Sequence, residues 1–257
     1  MEINVNTVYT TVLTILNKEQ RGYITPYEFN QLATQVQLDI FESYFENLNQ
    51  QLRTGGNSSD YANRLKLLEE KIAKFQIQED IGFIELPGNN YVSADLTSLS
   101  HGVYRLGSIY SNRLSYAPVQ AEEVTYNEFN KLLRSKLTSP SSDWPVFYKQ
   151  GAQLKLIPKV QTNAPAQDYT IDYIRKPKDV VWAYGAGTQG QYIWDEVYTG
   201  GGAIVPATGS QNFEIDVTDQ TEVILKILMY AGVIIKDPEV VQAASGQAQL
   251  KDQLQSS

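Results

Sequence analysis

The sequence has no cysteine, so it carries no disulfide framework, thiolate zinc site, iron–sulfur cluster or cysteine nucleophile. That leaves the compartment open, although a reducing cytoplasm fits. Basic residues are also short: 21 Lys and Arg face 29 Asp and Glu, a net charge of −8. Such a balance excludes broad attraction to nucleic-acid phosphate or anionic lipid and leaves room only for a local basic patch. No run approaches the roughly 18 apolar residues of a membrane-spanning helix. Met1 to Thr11 has neither a basic start nor an unbroken apolar stretch, so no secretory signal is expected there. What remains is the composition of a folded globular chain: 257 residues, 42% hydrophobic and 19% charged, enough for one large domain or two ordinary ones. Tyrosine is plentiful, 17 against 8 Phe and 3 Trp. An apolar ring with a polar tip suits half-buried sheet faces and subunit interfaces.

Residues 1–80 read as a helical bundle. Val5, Val8, Val12, Leu13 and Leu16 recur at steps of three and four and share one helical face, in a helix that ends near Gly22. Thr25-Pro26-Tyr27-Glu28 is a helix start: a capping Thr, a Pro at the first helical position and a Glu completing a capping box. Phe29, Leu32, Val36, Ile40, Tyr44, Leu48 and Leu52 carry that helix to Gly55-Gly56. Ser58, Ser59 or Asp60 can cap a third, with Tyr61, Leu65, Leu68, Ile72 and Phe75 as its seam.

From 81 to 218 the pattern becomes short apolar segments between Gly, Pro, Asn and Ser, which predicts an antiparallel β domain, a small sandwich or open barrel. Its segments are Ile81–Leu86, Val103–Tyr110, Val146–Tyr148, Leu154–Ile157 and Tyr169–Ile174. In the last, Tyr169, Ile171 and Tyr173 share one face. Val146 to Ile157 predicts a hairpin turning at Lys149-Gln150-Gly151, with Gly151 at the positive-φ position. A helix is expected to interrupt the region near 122–137, where Val124, Phe129, Leu132 and Leu133 give a partial apolar face. Residues 183–211 are a glycine-rich loop, and a loop that long is usually functional. Phe213, Ile215 and Val217 predict a last strand; Asp219 can cap a helix with Val223, Ile224, Ile227, Leu228 and Ala231 on its core face. Asp237-Pro238 opens another that turns polar toward Ser257, so 219–257 is expected to be C-terminal helices packing on the bundle or on a neighbour. The fold class is therefore α+β.

Several residue patterns imitate chemistry. Asn17 to Glu28 has the spacing of a calcium loop, but its first, third and fifth positions are Asn17, Glu19 and Arg21, and a guanidinium repels a divalent cation. Gly185-Ala186-Gly187-Thr188-Gln189-Gly190 spells a dinucleotide loop, yet no helical period follows to hold a pyrophosphate. His101, the single histidine, has no Gly-x-Ser-x-Gly elbow to serve. Paired acids are the remaining enzymatic route: Asp143 beside Trp144, or Asp195 and Glu196 beside Trp194. Asp216, Asp219 and Glu222 are explained by capping and the helix dipole, so no metal or cofactor is expected.

Leu86-Pro87-Gly88-Asn89-Asn90-Tyr91, Pro145-Val146-Phe147-Tyr148, Gly151 to Pro158 and Tyr169 to Pro177 resemble the β module of tailed-phage connector proteins. Phe213 to Asp216 with Tyr230 to Glu239 resembles their C-terminal docking region, and Leu16 to Asn30 is similar to ring proteins of crAss-like and related short-tailed phages. The resemblance covers most of the chain. It implies a non-enzymatic virion protein, assembled in the host cytoplasm, whose copies close into a ring, expected as a dodecamer. The ring joins the portal to adjacent tail or ring proteins around a channel that passes genomic DNA without sequence-specific binding. Such a ring closes through heterologous contacts. Trp182, Tyr184, Tyr192, Trp194, Tyr198, Tyr230, Pro238, Leu250 and Leu254 are its candidate subunit-contact residues. An acidic channel surface would let DNA slide. Two other readings stay open: a carbohydrate- or receptor-binding virion module with Trp182 and Trp194 as stacking platforms, and a glycoside hydrolase using Asp143 and Glu196.

Overall fold

The computed structural model describes residues 2–18, 23–54, 59–85, 90–111, 118–141, 143–158, 169–186, 191–194 and 209–234. The chain is α+β. In chain order its elements are β1 (Glu2–Ile3), α1 (Val5–Lys18), α2 (Pro26–Thr54), α3 (Ser59–Ala73), β2 (Gln76–Ile81), β3 (Ile84–Glu85), β4 (Val92–Asp95), β5 (Val103–Ser111), β6 (Val119–Gln120) and β7 (Glu122–Glu123). There follow α4 (Tyr126–Arg134), β8 (Val146–Gln150), β9 (Gln153–Ile157), β10 (Tyr169–Arg175), β11 (Tyr184–Ala186), β12 (Tyr192–Trp194), β13 (Phe213–Asp216) and α5 (Gln220–Ile234). Two short 3-10 turns cover Leu96–Ser98 and Val217–Asp219. Contacts divide the chain into a first unit, Met1–Lys71 with Pro177–Ser257, and a second, Ile72–Lys176.

In the first unit α1 and α2 both pack on α5. The expected α1 face is buried at Val5, Val8, Val12 and Leu16, joined by Tyr9. The capping box opening α2 forms as expected: Thr25 N donates to Glu28 Oε2 at 2.9 Å, and Glu28 N donates to Thr25 Oγ1 at 3.3 Å. The Thr25 N–H, and after it the Thr25 hydroxyl, which donates to Glu28 Oε2 at 2.7 Å, hold the Glu28 carboxyl below its ordinary range. Along α2 the buried face is Phe29, Ala33, Val36, Ile40, Phe41, Tyr44 and Phe45, while Leu52 is exposed. α5 buries Val223, Ile227, Leu228 and Ala231. Asp219 stands just before α5, and its buried carboxylate accepts from Lys71 Nζ at 2.8 Å and from the Tyr44 hydroxyl at 2.6 Å. One carboxylate thus fastens α2, α3 and the start of α5. Burial, and secondarily that carboxylate, push the Tyr44 phenol far up. β1 pairs antiparallel with β13.

In the second unit β2-β10-β5-β6 and β3-β4-β9-β8-β7 are separate sheets. Ile81, Ile109, Tyr169, Ile171 and Tyr173 from the first join Val92, Ala94, Phe147, Leu154 and Leu156 from the second in one buried cluster. The alternation of Tyr169, Ile171 and Tyr173 is the one expected. The barrel expectation is corrected: closure needs a ladder joining sheet edges, and among the described residues none joins β2 or β6 to β3 or β7. The antiparallel rule has one exception, because β7 pairs parallel with β8. β8 and β9 make the expected hairpin, Gln150 opposite Gln153, with Gly151 at φ 60°. The inserted helix is shorter than 122–137. Glu122 and Glu123 take the extended backbone that pairs with Val146 and Phe147, and a second capping box, Thr125 with Glu128, starts α4 at Tyr126. Phe129 anchors α4 over Val146 and Ile157.

Candidate functional site

The stretch leading into the glycine-rich segment is held by a stripe of polar side chains on α2. Asn30, Thr34 and Gln37 are spaced by four and three and so share one helical face. Asn30 Oδ1 accepts from Trp182 N at 2.8 Å, and Asn30 Nδ2 donates to Trp182 O at 3.3 Å. Thr34 Oγ1 accepts from Val180 N at 3.1 Å and donates to Val180 O at 3.4 Å. Gln37 Nε2 donates to Lys178 O at 2.7 Å, while its Oε1 accepts from Glu214 N at 2.8 Å. Residues 178, 180 and 182 are alternate positions of an extended chain, so the helix takes the place of a neighbouring strand along that edge. The opposite edge is met at Val181, which exchanges hydrogen bonds with Gln211.

This grip fixes Trp182. It is 3% exposed; its Nε1 donates to Asn6 Oδ1 at 3.0 Å, and its ring lies 4.2 Å from Tyr9. Tyr9 in turn lies 4.8 Å from Phe29, Tyr184 stacks 5.8 Å from Trp182, and Tyr192 meets Tyr184 edge-on at 4.9 Å. The rings form a row from the core at Phe29 to the surface at Tyr192, which is 43% exposed. Burial raises the Tyr9 phenol far above its usual value, helped by its hydrogen bond with exposed Tyr23. The Tyr184 phenol is raised too, first by burial and then by Tyr192 and Tyr23. Tyr23 and Tyr192 therefore cap one tyrosine patch with Tyr9 and Tyr184 beneath it.

Of the candidate contact residues, the structure brings Trp182, Tyr184 and Tyr192 together, and Trp182 and Tyr184 pack inside the protomer. Trp194 lies opposite Tyr184 in the β11–β12 pair; its Nε1 is buried with no hydrogen-bond partner among the described residues. Tyr230 is half-buried and donates to Asp39 Oδ2 at 2.6 Å, which, with burial second, pushes its phenol up to about 12. Tyr198, Pro238, Leu250 and Leu254 lie outside the described residues. Within 183–211, β11 and β12 form an antiparallel pair, so a strand, β12, follows the GxGxxG spelling where a dinucleotide site needs a helix. Residues 187–190 and 195–208 lie outside the described residues.

Asp143 is exposed in the turn before β8, where its N–H donates to Ser141 Oγ at 3.3 Å; Asp195 and Glu196 lie outside the described residues. His101 is half-buried beside Glu79. The Ser100 hydroxyl there donates to Glu79 Oε1 and the Tyr173 hydroxyl to Glu79 Oε2 at 2.9 Å. That hydroxyl is aimed at a carboxylate, which is not the serine–histidine pairing of acyl transfer. The same bonds, Ser100 first, hold the Glu79 carboxyl low. Among the described residues no group of three His, Asp or Glu is placed to hold a metal ion, and no helix is long and apolar enough to cross a membrane.

Sequence reasoning missed the Asn30–Thr34–Gln37 stripe. Its signal in the sequence was the recurrence of Asn30, Thr34 and Gln37 at steps of four and three, a polar stripe whose amides need partners wherever the helix is covered. No protein-family model matches the chain, and no curated protein matches it.

Proposed function

We propose that the chain is a virion structural protein that works by assembly and without turnover. Its copies form a ring, a dodecamer, in the connector between portal and tail, in contact with the portal and with neighbouring tail or ring proteins, around the path of the genome. On this reading the second unit is a two-sheet sandwich carried by the helical unit, and the chain needs no cofactor. The observation that carries the proposal is the set of large apolar side chains left on the surface of both units: Tyr23, Tyr192 and Ile193 in the first, Tyr126, Leu137 and Trp144 in the second. Large apolar side chains exposed on each of the two units suit a subunit that buries surface of both against neighbours. Negative-stain imaging of the purified protein, alone and mixed with the portal of the same phage, tests it. Annular particles in the mixture are expected; free monomers and bare portals at micromolar concentrations of both would overturn it.

A further inference from the structure

The two most exposed large apolar side chains of the described structure sit on one connection. Leu137 is 95% exposed and Trp144 78%, and both belong to the segment joining α4 to β8. The segment is pinned in place: Thr138 N donates to Ser135 Oγ at 3.1 Å, and Trp144 N donates to Ser141 O at 3.0 Å. Two such side chains on a turn held by its own hydrogen bonds are apolar surface whose burial by another molecule would be favourable.

Charge says which molecule. The first unit carries 19 acidic and 10 basic residues, a net −9, whereas the second carries 10 acidic and 11 basic, a net +1. The whole acidic excess therefore belongs to the first unit. In the second, Lys131, Arg134 and Lys136 precede Leu137, all three exposed, and no acid lies between positions 131 and 142. The loop thus presents two apolar knobs with three cations leading into Leu137 and one carboxylate, Asp143, beside Trp144. The first unit offers the opposite sign together with exposed aromatic ground at Tyr23 and Tyr192.

We propose that the α4–β8 loop docks on the first unit of a second copy of this chain, with Trp144 and Leu137 against the Tyr23–Tyr192 patch and the loop's cations drawn by the net negative charge of that unit. The contact is heterologous, so repeating it generates a ring or a filament. It deepens the ring reading and rests on it. Both knobs are solvent-exposed, so replacing them leaves the core intact and a loss of association reports on the surface.

The test uses the full chain with a benzophenone amino acid at position 144, prepared as a mixture of light and heavy-isotope copies and irradiated. Mixed-isotope crosslinks into 23–54 or 177–194 are expected. Crosslinks confined to one copy, crosslinks into 72–176 of the second copy, or none at all would each overturn the proposal. In parallel, sedimentation of Leu137→Glu/Trp144→Glu should show self-association at least about tenfold weaker than wild type. Raising salt from about 50 to about 500 mM should weaken the wild type as well; unchanged association in either comparison would count against the contact. Micrographs of the same samples separate the two readings. Rings without a crosslink into the first unit sink this contact and leave the ring standing; the crosslink without rings does the reverse.

Discussion

Gly107 lies where β5 passes β10 with an irregular register, Ile171 opposite Ile109 but Tyr173 opposite Leu106, so that Gly107 and Ser108 together face Asp172. A Cβ at position 107 would come within 2.7 Å of the Asp172 carbonyl oxygen, and that oxygen is backbone and cannot swing away. Gly107→Ala is therefore expected to cost about 1–3 kcal/mol, measured by urea unfolding of the full chain; a cost within error of zero would mean that the two strands part freely here. The Asp219 carboxylate sets a second residue-scale expectation. Lys71→Met leaves it buried with the Tyr44 hydroxyl as its side-chain partner among the described residues and should destabilise by about 3 kcal/mol. Adding Asp219→Asn to that variant should recover part of the loss, because an amide costs less to bury unpaired than a carboxylate. No recovery in the double variant would show that packing, and not the charge, sets the penalty.

At the scale of elements, what the sequence declares depends on whether the determining partner is near in the chain. Thr25 and Glu28 are three residues apart, and Gly151 turns a hairpin whose strands adjoin it, so both were readable. Thr125 and Glu128 carry the same box and would have put the start of α4 at Tyr126. Glu122 and Glu123 become a strand only because Val146 and Phe147 lie alongside. Trp182 and Tyr184, aromatics at the edge of a glycine-rich stretch, read as contact residues; they are buried because Asn30 holds the Trp182 backbone, Thr34 and Gln37 hold Val180 and Lys178 before it, all from about 145 positions away in sequence, and Tyr184 stacks on the Trp182 ring so fixed. Gln37→Leu tests that grip. It strips the partner from Glu214 N and Lys178 O, should cost about 2–3 kcal/mol, and should speed amide exchange at Glu214 while Trp182 N, held by Asn30, stays protected; equal exchange at both would mean the stripe acts as one piece. The capping box gives a pH-dependent case. The folded Glu28 carboxyl titrates below its ordinary value, so its contribution is fully present above the unfolded pKa and fades as pH falls through the folded one. Gln keeps the box but not the charge. Wild type should exceed Glu28→Gln in stability by roughly 0.5 kcal/mol at pH 7, with the gap closing as the pH is lowered through the folded carboxyl's titration; a constant gap would assign the effect to shape alone.

For the whole molecule, the second unit is one unbroken stretch, Ile72–Lys176, set between two parts of the first. Its entry and exit strands are neighbours: β2 and β10 pair antiparallel, Arg175 N donates to Phe75 O at 3.0 Å, and the Arg175 guanidinium lies 5.6 Å from the Phe75 ring. An insertion whose ends meet can leave its host without strain, since no long loop has to close behind it. It also has its own core, in which Tyr169, Ile171 and Tyr173 of one sheet meet Phe147, Leu154 and Leu156 of the other. A stretch of domain length with a private core and adjacent ends is expected to fold by itself. Residues 72–176 expressed alone should therefore unfold in a single cooperative thermal transition with dispersed amide resonances. The complementary chain, with 72–176 replaced by a short Gly-Ser linker, should keep the packing of α1 and α2 on α5. A molten second unit beside an intact first would mean that its two sheets hold together only when both ends are tethered, and that the cluster at Tyr169–Tyr173 is too small to order them.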